Sequence, residues 1–370
     1  MMGNKILCVA GTRPEAIKMA PVILALKKAP GIECRVLVTA QHRNLLDQVL
    51  RIFEIEPDID LDIMRHDQSL ATLTARLLLD LDGVLKAEKP DVVLAQGDTT
   101  TVMTTALACF YHRIPFGHVE AGLRTGNMTH PFPEEMNRVA VGRLAKWHFA
   151  PTAIARQNLL DEGSADSDIF MTGNTVIDAL LSVAERDAPL PFKLDPEKRL
   201  ILMTVHRREN FGKPFREICR AVLALVEKNR DLQVVYPVHP NPNVRDIAYQ
   251  VLGGHPAIIL CEPLDYLPFV TVMKHAYLIL SDSGGVQEEA PALGKPVLVL
   301  RRETERSETI DEGVALLVGG DFHRIVDAVQ HLLDDKAAYR YMARGVSPYG
   351  DGKAADRIAH VLQDHIAACA

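Results

Sequence analysis

The sequence predicts an α/β protein of two βα-repeating halves, each with a parallel sheet covered by helices on both faces. Three observations lead there. Short runs such as Val92-Val93-Leu94-Ala95 are continuously apolar and lack the polar alternation of a strand with one face in water. Helical patterns separate these runs along the whole chain. The alternation pauses at Arg186–Pro196, where three prolines and several charges mark a linker, and then restarts.

In the first half, Lys5–Ala10 reads as a buried strand and Ala16–Lys28 as an amphipathic helix. Cys34–Val38 is a strand and Leu70–Lys86 a long helix. Strands follow at Val92–Ala95, Pro115–Val119 and Trp147–Phe149. In the second half, strands are expected at Leu200–Thr204, Gln233–Tyr236, Ala257–Leu260, Tyr277–Leu280, Pro296–Leu300 and Val314–Leu317. The stretch Ala354–Ala368 is helical. The expected domains are 1–172 and 173–353, with a terminal helix at about 354–370 returning to the first.

Composition narrows the function. A chain of 370 residues has room for two domains, and 48% hydrophobic with 24% charged residues is the make-up of an ordinary soluble enzyme. A net charge of -7 argues against a nucleic-acid surface, so an anionic ligand needs a local basic pocket. The six cysteines are widely spaced with no C-x-x-C, which points to a reducing compartment and no zinc site. No apolar run reaches membrane length and the start leads into a strand, so a cytoplasmic location is expected.

Three carboxylates stand at or just beyond strand ends. Val92–Ala95 runs into Gln96-Gly97-Asp98, and Pro115–Val119 runs into Glu120-Ala121-Gly122; Pro131-Phe132-Pro133-Glu134 supplies the third. In open α/β sheets, ligands bind beyond the carboxyl ends of the strands. Acids crowded there suit proton transfer. Singly, Asp98 or Glu134 reads more readily as a helix cap; together, with glycines beside two of the three acids, they mark a site.

Phosphate signals occupy both halves. Ser281-Asp282-Ser283-Gly284-Gly285 joins a strand to a helix, where free N–H groups and the positive end of the helix dipole meet. It is neither a Walker loop nor the dinucleotide glycine pattern. Glu289 lies on the first helical turns, within reach of a ribose hydroxyl. Gly11-Thr12-Arg13-Pro14-Glu15 is the matching turn in the first half, with Arg13 and Lys18 as cations. His206 follows the first strand of the second half, flanked by Arg207 and Arg208, which suit bidentate phosphate pairing. His239 ends the next strand in a similar way.

Taken together, these residues resemble the non-hydrolysing UDP-N-acetylglucosamine 2-epimerase family of bacterial type. The resemblance covers Gly11–Pro21, Gln41–Leu50, Gln96–Thr101, His118–Thr125, Pro133–Arg138, Thr172–Asp178, His206–Gly212, Ser281–Pro296 and Thr304–Arg306. It implies a GT-B architecture, with two Rossmann-like doubly wound domains facing across a cleft that holds UDP-N-acetylglucosamine. It also implies a homodimer working without cofactor or metal. The chemistry it implies is elimination of UDP across C1–C2 to a 2-acetamidoglucal, then re-addition with the C2 proton delivered to the opposite face. Asp98, Glu120 and Glu134 become the acid/base candidates, with His206 beside them. Arg13, Lys18, His206, Ser283, Gly284 and Gly285 would hold the diphosphate. Glu289 would bind the ribose, Phe269 and Leu264 the uracil region, and Arg306 the uridine or phosphate end.

Departures are visible. Thr304-Glu305-Arg306-Ser307-Glu308 has Ser307 where the family commonly has Pro, Gln96 replaces the usual His before Gly97-Asp98, and Leu264 stands where some members have Gln. Resemblance also implies an effector site for a second substrate molecule near Gln41, Asn44, Asp67, Arg207 and His239. Asp67 stands where some relatives carry Arg, which should weaken that site. Three other readings remain: a hydrolysing epimerase that releases N-acetylmannosamine and UDP, a retaining GT-B glycosyltransferase, and a nucleotide-sugar-binding regulator.

Overall fold

A computed structural model describes residues 4–39, 43–63, 65, 68–304 and 306–367, excluding the side chains of 43–45 and 366–367. The chain forms two compact units. One comprises the residues through Ala179 together with those from Tyr349 onward; the other is Leu180–Pro348.

The first unit is a seven-stranded parallel sheet. Its strands are β1 (Asn4–Ala10), β2 (Ile32–Val38), β3 (Ile59–Asp60), β4 (Val92–Gln96), β5 (Phe116–Val119), β6 (Trp147–Ala150) and β7 (Ile169–Met171). Their order is β3-β2-β1-β4-β5-β6-β7, so the winding reverses between β1 and β4. Leu7, Val93 and Phe116 are fully or almost fully buried, because helices cover both faces of these strands. The edge strands β3 and β7 have two and three residues and carry no sequence pattern of their own.

The first helix begins at Arg13, not at the expected Ala16. Thr12 and Glu15 form a capping box, and Pro14 suits the first turn, where no N–H partner is lost. The terminal helix Ala354–Ala367 belongs to this unit. The Asp178 carboxylate accepts from Ala355 N at 2.8 Å, and Arg357 donates to the Thr172 carbonyl at 2.9 Å.

The second unit is a six-stranded parallel sheet: β8 (Arg199–Thr204), β9 (Leu232–Pro237), β10 (Ile258–Cys261), β11 (Leu278–Ser281), β12 (Val297–Val299) and β13 (Ala315–Leu317). The order β10-β9-β8-β11-β12-β13 places its reversal between β8 and β11. Met203, Phe215, Tyr236 and Leu280 lie at the centre of its core. The expected linker has no regular structure and lies against this unit, with Ala188 N donating to the Thr271 hydroxyl at 3.0 Å. No described helix is long and apolar enough to cross a membrane.

Candidate active site

The reversal between β1 and β4 opens a crevice at the carboxyl ends of those strands, the usual ligand site of a doubly wound sheet. Glu120 stands at the end of β5, next to β4, in left-handed backbone conformation with φ 63°. Such a conformation is uncommon for a residue with a Cβ and persists only where its surroundings hold it. Here the carboxylate is gripped by Lys18 Nζ, Gln96 Nε2 and Asn174 Nδ2, the last at 2.8 Å. Its side chain is 7% exposed. Lys18, expected as a diphosphate cation, is therefore ion-paired to the central acid.

Asp98 does not cap the following helix. Thr99 does, accepting from Val102 N, which leaves the Asp98 carboxylate to pair with Arg138. Asn137 Nδ2 holds the Asp98 carbonyl at 2.8 Å. Glu134 opens the helix Glu134–Leu144 and is partly exposed, whereas its neighbour Glu135 is buried. Glu135 accepts from Thr125 N and Gly126 N, each at 2.9 Å, and from Arg138 Nη1 at 3.3 Å. Arg138 thus bridges a loop-anchoring acid and Asp98. Strand ends and spacing mark no role for Gln96, Arg138 or Asn174. Asn174 lies in the Thr172–Asp178 segment of the resemblance, 54 residues from Glu120, and only the fold brings the two together.

Buried groups support the loops around these acids. His118 Nε2 donates to the Gly97 carbonyl at 2.7 Å, tying the Asp98 loop to β5. Burial pushes the His118 imidazole down to about 3, so it is neutral at working pH. His148, beside it on β6, is pushed down to about 4 for the same reason. Glu15 accepts from Gly11 N and Thr12 N and is 2% exposed. Burial pushes its carboxyl up from 4.5 to about 7. Hydrogen bonds from Thr99, Gly11 and Thr12 oppose that rise, and the charge of Asp98 adds to it.

These shifts give a pH prediction. The folded unit holds the Glu15 proton more tightly than the unfolded chain does. That stability is fully present below about pH 4.5 and is lost as pH rises through about 7. His118 and His148 act oppositely: their contribution is present above about 6.5 and is lost as pH falls through about 4 and 3. Glu15→Gln keeps an acceptor for Gly11 and Thr12 and should remove only the first effect. The stability of wild type relative to this variant should fall by on the order of 1–3 kcal/mol between pH 4.5 and 7.5. Urea unfolding followed by the fluorescence of Trp147, the single tryptophan, reads this unit. A pH-independent difference would contradict it.

The second unit repeats the arrangement at its own reversal. His206 follows β8, and Ser283-Gly284-Gly285 follows β11 and opens the helix Gly284–Ala292. Ser283 makes no side-chain cap, and a Cβ on Gly284 would meet the Arg306 guanidinium at 3.1 Å. Glycine here lets Arg306 lie against the helix start, where its guanidinium pairs with Glu288 at 2.8 Å. Glu289 is buried on the same helix and accepts from Tyr266 Oη at 3.3 Å. Tyr266 begins the helix carrying Phe269, with Leu264 in the preceding loop; both are half-buried. The result is an anion-binding helix terminus with a cation and a buried carboxylate beside it.

His206 stacks on His239 with ring centroids 6.0 Å apart. Burial pushes the His206 imidazole down, with help from His239 and Arg207, and Asp282 opposes this. Arg207 donates its backbone N–H to Asp282 at 2.9 Å. Of the remaining effector candidates, Gln41, Asp67 and the Asn44 side chain lie outside the described residues. No cluster of three or more potential metal-ligating side chains occurs among the described residues.

Two parallel doubly wound units, one with acids at its strand ends and the other with a phosphate-type helix terminus, define a fold of GT-B class. The family model described as UDP-N-acetylglucosamine 2-epimerase matches residues 24–363. A Yersinia pestis protein of that name is 56% identical over 98% of this chain and 99% of its own length. A solved chain from Listeria monocytogenes superposes with a TM-score of 0.94 at 49% identity, covering 98% of this chain and 97% of its own. A UDP-GlcNAc 2-epimerase from Neisseria meningitidis, solved bound to UDP-GlcNAc, gives 0.89 at 46% identity, covering 97% of this chain and all of its own. The chain belongs to the UDP-N-acetylglucosamine 2-epimerase family.

Proposed function

We propose that the protein interconverts UDP-N-acetylglucosamine and UDP-N-acetylmannosamine without hydrolysis, by eliminating UDP and adding it back. The observation that carries this reading is Glu120, an acid held in left-handed conformation at the first unit's crevice, with Asp98 on the adjacent strand's loop. The C2–H bond breaks as one carboxylate takes the proton, its electrons form the C1=C2 double bond, and the C1–O electrons leave with UDP. Re-addition reverses these steps with protonation on the other face of C2. Two differently placed acids suit two faces, and Asp98, Glu120 and Glu134 are the candidates. Each such group contributes about 10²–10⁴-fold.

Lys18 and Arg13 supply positive charge on the first unit. On the second, the Ser283–Gly285 terminus, His206 and Arg306 would receive the diphosphate, where fixed dipoles stabilise a departing anion. Glu289 would take the ribose, and Leu264 and Phe269 would flank the uracil. The same reading carries a cytoplasmic homodimer, with Arg207 and His239 near a second, regulatory substrate site.

Incubation with UDP-N-acetylglucosamine alone, followed by proton NMR, tests the assignment. A mixture of the two nucleotide sugars is expected. Free N-acetylmannosamine plus UDP would instead establish a hydrolysing enzyme. An unchanged donor that reacts only once an acceptor is added would establish a transferase.

A further inference from the structure

We propose that Asp282 is a positioning residue for His206, holding the imidazole with its Nδ1 proton toward the carboxylate and leaving Nε2 to meet a ligand. The proposal rests on the reading of His206 as part of the diphosphate site. Asp282 is fully buried, and a buried carboxylate persists only when donors surround it. Its Oδ2 accepts from three: His206 N at 3.0 Å, Arg207 N at 2.9 Å and Asn210 Nδ2 at 2.9 Å. Asn210 Nδ2 also donates to the Leu300 carbonyl at 3.0 Å, which fixes the orientation of that amide. Its Oδ1 faces His206 N at 3.1 Å and His206 Nδ1 at 3.2 Å.

Every donor but one is a backbone or amide N–H whose role cannot change. The His206 ring is the only partner with a choice of tautomer, and a carboxylate oxygen selects Nδ1–H. Nε2 then carries the lone pair. When it takes up a proton near a diphosphate, the charge of Asp282 stabilises the imidazolium. The charged and titratable groups acting on this ring are Asp282, which favours protonation, and His239 and Arg207, which oppose it. Burial also opposes it. Asp282 sits 76 residues from His206 in sequence, and it joins the His206 loop to the glycine turn at Ser283.

Asp282→Asn separates positioning from architecture. The three donors on Oδ2 require the amide oxygen there, so the amide NH₂ lands opposite His206 Nδ1. That nitrogen must then accept, and the ring proton moves to Nε2. In full-length protein labelled with ¹⁵N-histidine, with the His206 signals assigned by His206→Gln, wild type should show the Nδ1–H tautomer. The variant should show Nε2–H and a His206 titration midpoint lower by about one unit or more. Its thermal unfolding should stay close to wild type, while kcat falls by about 10²-fold or more. An Nε2–H tautomer in wild type overturns the proposal without any variant. So does a folded variant whose His206 tautomer and titration are unchanged, or one with altered tautomer and unaltered kcat. If wild type fails to turn over UDP-N-acetylglucosamine, the functional reading falls, and the tautomer measurement still decides the link between Asp282 and His206.

Discussion

Glu120→Gln is expected to lower kcat by about 10²–10⁴-fold, the range of a well-placed acid or base. The substitution is nearly isosteric, so the left-handed turn and the contacts from Gln96 and Asn174 have a side chain to meet. What is lost is the proton-accepting carboxylate and the partner of Lys18. Lys18 is partly buried, and removing the Glu120 charge beside it makes the crevice more favourable to an anion. UDP affinity should therefore hold or rise slightly while turnover collapses. Isothermal titration with UDP alongside steady-state kinetics separates the two. Loss of UDP binding in parallel with kcat would mean that Glu120 organises the nucleotide site and leaves the proton to another group.

Gly122→Ala should cause the largest loss of stability of any single methyl addition to the Glu120 turn. Gly122 has φ +89°, and a Cβ there would lie 2.1 Å from the Ala155 carbonyl oxygen. That oxygen is backbone on the helix Ala153–Asp161 and cannot swing aside. The Gly122 carbonyl is also tied to Asn158 Nδ2 at 2.9 Å, so the turn cannot retreat freely. Backbone strain and overpacking together cost about 2–6 kcal/mol. Gly254→Ala is the control, with φ +80° and nothing within 4 Å of the added methyl. It should show backbone strain alone, on the order of 1–2 kcal/mol. Urea unfolding followed by circular dichroism should show a larger loss of stability for Gly122→Ala than for Gly254→Ala. Equal midpoints for Gly122→Ala and wild type would show that the helix yields to the turn.

The two sheets are legible in the sequence because the centres of β1, β4, β8 and β11 are buried on both faces and written in apolar residues. The short edge strands β3 and β7 are not, since two or three residues set no period. The positions of Asp98 and Glu120 follow from strand ends alone. Their partners do not. Lys18 reads as a phosphate cation at a helix entrance, yet it pairs with Glu120 across 102 residues of sequence. Between the neighbours Glu134 and Glu135, helical phase decides which is buried, and a boundary uncertain by one residue hides that phase. Asp282 reads as part of a Ser/Gly turn, and only the fold reveals that it receives the His206 loop. Local chemistry marks where a ligand is met, and tertiary contacts decide which side chain orients which.

The proposed reaction exchanges the C2 proton and keeps the nucleotide attached. Running it to equilibrium in D₂O and recording proton and phosphorus NMR of the mixture reads both properties at once. Both nucleotide sugars are expected to remain esterified to UDP and to carry deuterium at C2, because the acid that returns a proton is not the one that removed it. UDP-N-acetylmannosamine that retains the original C2 proton, or free sugar released with UDP, would contradict the account.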